Sequence, residues 1–200
     1  MSLPGDALSP AGVYSAFLQP DALGRGDDLE DYELGGIALN DSSQGLMVQN
    51  WRARGLNSSN EIRVSPAPYS SEIALVSASN ITEVSLAFDQ NMRPALAFIT
   101  NGQAKLYWYD SIAEAQVTTV LAADITSVFL TMDDKRPAAA LLNFNDILLF
   151  YVRGSSLYYR QQRDRYNTER FLTVLADPAA KLRKCGMATE LRVQMQVIYS

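Results

Sequence analysis

From residue 46 onward the apolar residues fall in short runs of strand length, separated by clusters of Gly, Asn, Asp, Ser and Pro. Runs of this kind, rich in Val, Ile, Thr, Tyr and Phe and bounded by turn formers, predict β-strands. The pattern places strands at Leu46–Arg52, Glu61–Ser65 and Ser71–Ser77, then at Thr82–Phe88, Ala95–Thr100, Lys105–Tyr109 and Val117–Leu121. Near the end, Leu191, Val193, Met195 and Val197 alternate with Arg192, Gln194 and Gln196, the period of a strand with one wet face.

The runs recur. Ile81-Thr-Glu-Val-Ser-Leu-Ala-Phe-Asp89 and Ile125-Thr-Ser-Val-Phe-Leu-Thr-Met-Asp133 open two copies of one unit, about 44 residues apart. Each opening leads to an Arg-Pro (Arg93-Pro94; Arg136-Pro137), an apolar run (Ala95 to Thr100; Ile147 to Val152), a glycine (Gly102; Gly154) and an aromatic run (Leu106-Tyr-Trp-Tyr109; Leu157-Tyr-Tyr159). A period of about 40 to 50 residues with four short strands is that of a β-propeller blade, a unit that cannot bury its apolar face alone. The predicted fold is therefore all-β, with propeller-like repeats of four-stranded antiparallel blades and an extended N-terminal arm. About three blades are expected: a degenerate first copy over 41–79 without an opening strand, then 80–123 and 124–176. The third carries an insertion near Ala138–Asn145, and closing strands occupy 180–200, one of which could return to pair with the first copy. Three blades are fewer than the roughly four to eight of a propeller ring, so edges and apolar faces would remain. That predicts oligomerisation or docking into an assembly.

Residues 1–40 have another composition. Pro4, Pro10, Pro20 and six glycines accompany the acidic run Asp27-Asp28-Leu29-Glu30-Asp31, with little apolar surface to offset chain entropy. One short helix is possible over Pro10–Leu18, with Ser9 as its N-cap. The remainder is expected as an arm, either a tail or a segment ordered against a neighbouring subunit.

Charge and composition exclude more than they reveal. The net charge of −5 removes any general electrostatic attraction to nucleic acid. No apolar run approaches the roughly 18 residues of a membrane-spanning helix, and Met1-Ser-Leu-Pro-Gly-Asp6 lacks the basic and apolar regions of a signal peptide. Cys185 is the sole cysteine, expected as a small buried hydrophobe, so no intrachain disulfide can form. There is no histidine, which excludes Ser-His and Cys-His catalytic pairs and most zinc sites. No catalytic constellation, metal site or cofactor is predicted.

Three sets of residues could still carry chemistry. The aromatics Tyr107, Trp108, Tyr109, Tyr158 and Tyr159 could stack on sugar rings, or they could be strand formers packing between blades. Tyr107 and Tyr109 share one face, with Leu106 and Trp108 on the other, so at most half the set could serve a ligand. Asp89, Asp133 and Asp134 follow the strand openings; their spacing fits turn formation better than calcium ligation. The basic cluster Arg160, Arg163 and Arg165, interleaved with Gln and Tyr166, could be a solvated hairpin, a nucleic-acid contact, or a protein contact for an acidic partner such as Asp27, Asp28, Glu30 and Asp31.

The segments Tyr32-Glu-Leu-Gly-Gly-Ile-Ala-Leu-Asn-Asp41, Ile81-Thr-Glu-Val-Ser-Leu-Ala-Phe-Asp-Gln-Asn91, Leu106-Tyr-Trp-Tyr-Asp110 and Leu157-Tyr-Tyr-Arg-Gln-Gln-Arg-Asp-Arg-Tyr166, with Gln44-Gly-Leu46 and Trp51, resemble virion proteins of tailed bacteriophages. The similarity spans Asp31 to Met187 and brings no catalytic residues with it. It implies a non-enzymatic structural part of the particle, in the tail or head-to-tail region. Such a part would be made in the host cytoplasm and built as a symmetric homo-oligomer with other virion proteins. The alternative expectation, from the residues alone, is a glycan-binding module using the five aromatics.

Overall fold

The computed structural model describes residues 28–39, 46–66, 70–89, 93–132, 134–135, 147–189 and 193–199. They form three four-stranded antiparallel sheets and a smaller fourth one. The first sheet runs β1 (Asp28–Leu39), β2 (Leu46–Leu56), β3 (Glu61–Pro66) and β4 (Ile73–Ser77). The second runs β5 (Ile81–Phe88), β6 (Pro94–Thr100), β7 (Gln103–Asp110) and β8 (Ala115–Val120). β9 (Ile125–Met132) is followed by the two-residue β10 (Asp134–Lys135), and then by β11 (Ile147–Arg153), β12 (Ser156–Gln161) and β13 (Arg170–Val174). The third sheet has the order β9, β11, β12, β13, while β14 (Leu182–Thr189) pairs with β15 (Val193–Tyr199) and, in parallel, with β10. The architecture is all-β and repeated, with no closed barrel among the described residues.

Two expectations change. Asp28–Leu39, taken from composition as part of the arm, is the opening strand the first copy lacked, paired along β2. Its acidic residues obscured it; in the register Glu30 falls opposite Arg54. The closing strands β14 and β15 form a hairpin beside β9 and do not pair with the first sheet. The helix expected over Pro10–Leu18, the insertion near Ala138–Asn145, and Asp27, Asp133 and Arg136 lie outside the described residues.

Both faces of the middle sheets are buried at β6 and β11, which is why these strands are near-continuous apolar runs. Val84, Leu86, Leu96 and Phe98 pack against Ala53, Ile62 and Val64 of the first sheet. Ala87, Ala95, Ala97 and Ile99 face the opposite way, onto Val128, Leu130, Ile147, Leu149 and Tyr151 of the third. Beyond it, Phe129, Leu148, Phe150 and Val152 pack on Leu175, Ala180 and Leu182.

Strand pairing corrects the repeat alignment. Counting from the matched openings, Val84 pairs with Phe98 and Val128 with Tyr151, so Phe98 and Tyr151 are equivalent. Leu96 then matches Leu149, and Ala97 matches Phe150, one position off the sequence comparison. The glycines caused the slip: Gly102 is second in the Asn101-Gly102 turn, both residues with positive φ, whereas Gly154 comes first in its turn. The aromatic runs shift further. Leu106 pairs with Ala97 and Tyr159 with Phe150, which makes Leu106 equivalent to Tyr159 and leaves the two runs out of step.

Candidate functional site

The aromatic and basic residues converge at the junction of the second and third sheets. On the third sheet, Tyr151, Tyr158 and Phe171 are cross-strand neighbours on β11, β12 and β13, with ring centroids 5.7 and 5.8 Å apart. β12 ends in a short 3-10 turn, Gln162–Asp164, after which Arg165 and Tyr166 both adopt left-handed backbone at φ 57°. For residues with a Cβ that conformation costs about 1–2 kcal/mol each, so tertiary contacts must hold it. Tyr166 supplies one of them: its ring is buried and meets Trp108 of β7 edge-on at 5.0 Å. Trp108 is fixed in turn by donating its indole N–H to Thr119 Oγ1 at 3.1 Å. Arg165 supplies the other, an ion pair from its guanidinium to Asp110 at the end of β7.

Arg160 lies beneath this turn. It donates to the Tyr166 carbonyl at 3.1 Å and to the Tyr151 hydroxyl at 3.0 Å. Tyr151 donates its own proton to Glu169, which also receives two bonds of 2.7 Å from Arg153. Arg153 lies over the Tyr158 ring, 4.6 Å from its centroid. Burial, reinforced by the Glu169 carboxylate, pushes the Tyr151 hydroxyl up to about 12. Burial alone would raise the Glu169 and Asp110 carboxyls too. Tyr151 and Arg153 at Glu169, and the Ile112 N–H and Arg165 at Asp110, more than offset it and hold both below the usual carboxylate range.

This geometry is a clasp. Every carboxylate in it is neutralised by a guanidinium, and its phenol is held protonated, the wrong state for a base or nucleophile near neutral pH. Among the described residues no group of three or more His, Cys, Asp or Glu could hold a metal ion. Asp89 forms a turn: it accepts from the Arg93 backbone N–H at 2.9 Å and pairs with the Arg93 guanidinium at 2.7 Å.

Of the residues singled out from sequence, Trp108, Tyr158, Arg160 and Arg165 come together here. Tyr107 and Tyr109 lie on the other face of β7, Tyr107 against the first-sheet core, where burial raises its hydroxyl, and Tyr109 under Arg93 at 3.6 Å. Tyr159 stacks on Phe150 on the far face of the third sheet, beside Arg170. Arg163 is exposed on the 3-10 turn. Asp28, Glu30 and Asp31 are in β1, in register with Leu56, Arg54 and Ala53, while Arg160 pairs with Glu169 and Arg165 with Asp110.

Sequence reasoning missed two groups. Glu83 of β5 accepts from Ser127 Oγ at 2.8 Å and the Val128 N–H at 3.0 Å, and Ser85 Oγ accepts from the Leu130 N–H at 2.9 Å. Ser127 Oγ then accepts from the Leu182 N–H at 2.9 Å. These bonds tie β5 to β9 and β9 to β14, and their signal was a polar residue in an otherwise apolar opening. The second group is on the face of the first sheet turned away from the core, where Arg52, Arg54 and Arg63 converge on Glu72 at 3.2, 2.9 and 3.7 Å. The Arg54 hydrogen bond holds the Glu72 carboxyl below its ordinary value.

Among the described residues no helix is long and apolar enough to cross a membrane. No protein family, no curated protein and no solved structure matches the chain.

Proposed function

We propose that this chain is a non-enzymatic structural module whose propeller-like sheets form a rigid unit for assembly. Following its sequence resemblance, we place it in the particle of a tailed phage, as a symmetric homo-oligomer in contact with other virion proteins. One observation carries the reading: Trp108 and Arg165, among the residues that might have met a ligand, instead join the second and third sheets through Tyr166 and Asp110. Trp108 is 4% exposed and hydrogen-bonded, and Tyr158 is half-buried, stacked on Tyr151 with Arg153 over its ring. A stacking platform for sugars needs open ring faces; a structural unit needs them covered. Repetition by symmetry then turns weak contacts into strong assembly.

The test separates scaffold from lectin. Trp108→Ala is expected to lower unfolding stability by about 3–5 kcal/mol, as core aromatic truncations do, and the wild-type chain should bind nothing on a glycan array. Glycan binding that disappears in Trp108→Ala while the unfolding midpoint stays put would overturn the proposal in favour of the glycan-binding module.

A further inference from the structure

The fourth strands of the three large sheets, β4, β8 and β13, each lie at a sheet border with no strand on their outer side among the described residues. An open border offers a row of unpaired N–H and C=O groups, and folded proteins usually blunt it with charge, proline, or a bulge. β4 has a register shift where it meets β3, and it follows directly on Glu72 and its arginines. β13 has a register shift against β12 and begins with Arg170, ion-paired to Asp164 at 2.7 Å. β8 follows directly on Glu114, but it has no register shift and no charge within the strand. Its sequence, Ala115-Gln-Val-Thr-Thr-Val120, holds no charge and no proline, and it pairs with β7 over all six residues without a shift. Gln116, Thr118 and Val120 are exposed on one face, Val120 to 56%, and Ile112 on the preceding turn is 72% exposed.

We infer that β8 is a pairing edge and that its occupant is β8 of a second copy, joined antiparallel about a two-fold axis normal to the sheet. Such an axis sets one residue opposite its own copy, Val117 or Thr118, and every other contact between residues of β8. No charge meets its like, so the strand is complementary to itself, and two four-stranded sheets become one of eight. Val120 and Ile112 flank the joint and add apolar contact. Two six-residue strands bury less than the roughly 1,200 Å² of a stable specific interface, so the isolated pair is weak and concentration-dependent. This inference rests on the assembly reading above and names the edge that it would use.

The experiment is sedimentation equilibrium on the full chain over a wide concentration range, wild type beside Gln116→Lys/Thr118→Lys. In either two-fold register the double substitution sets lysine against lysine, at exposed positions that leave the core untouched. The expected result is a reversible monomer–dimer equilibrium in the wild type, and a monomer at every concentration in the variant with an unchanged unfolding midpoint. Amide exchange in β8 of the wild type should slow as concentration rises. That readout decides the matter even if the variant folds poorly. Dimers that persist undiminished in a folded variant, or β8 exchange independent of concentration, overturn the inference. Neither result touches the scaffold reading, which stands or falls on the Trp108 and glycan measurements.

Discussion

At structurally equivalent places the second sheet carries Ala95, Ala97 and Ile99, and the third carries Leu148, Phe150 and Val152. Both sets face the next part of the stack, but what they meet differs. The alanines meet a complete sheet that projects Leu149 and Tyr151 toward them. Phe150 and its neighbours meet a thinner cover, the segment carrying Leu175 and Ala180 with Leu182 of β14. Faces turned the other way stay large in both sheets, Leu96 and Phe98 against Leu149 and Tyr151. A repeat thus keeps its strand pairing while its side-chain volumes follow the neighbour, because interiors are packed to crystal density and small must meet large.

The comparison breaks most visibly by exchanging volumes. Phe150→Ala should open a cavity and cost about 3–5 kcal/mol, whereas Ala97→Phe, its equivalent in reverse, should overpack the junction and cost about 1–3 kcal/mol. Denaturant unfolding measures both, and a neutral Ala97→Phe would mean the two sheets are not pressed together there.

The third sheet also holds a titratable phenol, Tyr151, where the second has Phe98. The Tyr151 hydroxyl lies at about 12 when folded against an ordinary 10. A raised folded value leaves its stabilising contribution intact below pH 10 and removes it as pH climbs toward 12. The loss is on the order of 2 kcal/mol, visible as a steeper alkaline fall in unfolding midpoint for wild type than for Tyr151→Phe. Equal slopes would show that burial and Glu169 do not raise this phenol. The acid side carries the opposite sign: the lowered Asp110 and Glu169 carboxyls contribute above their ordinary values and lose that contribution as pH falls through the folded ones.

The smallest difference lies in the turns. Gly102 and Gly154 have φ of 72° and 58°, with open space where a Cβ would sit. Alanine at either should cost about 1–2 kcal/mol through backbone strain alone. Asparagine, which tolerates that conformation better, should recover part of the loss in thermal melts.

The strand runs, the turn dipeptide Asn101-Gly102 and the repeat openings at Ile81 and Ile125 were legible because each is a local pattern with a local cause. Strand β1 was not, since Glu30 argues against a strand until Arg54 lies opposite. The aromatic runs misled for a related reason: similar residues two positions apart look aligned in a string, and only hydrogen-bonded pairing reveals the offset. The candidate site was half legible. Trp108, Arg160 and Arg165 stood out by type, while Glu169 and Asp110, which neutralise the arginines, had nothing to mark them.

By itself, then, the sequence determined an all-β chain with a repeat of about 44 residues, because alternation, glycine turns and β-branched runs act within a few residues of one another. Which residues pair, which faces meet and which charges cancel was decided by tertiary structure alone. Those choices join positions 44 to 55 residues apart, such as Glu83 with Ser127 and Asp110 with Arg165, and no property of either partner announces the other before the sheets stack.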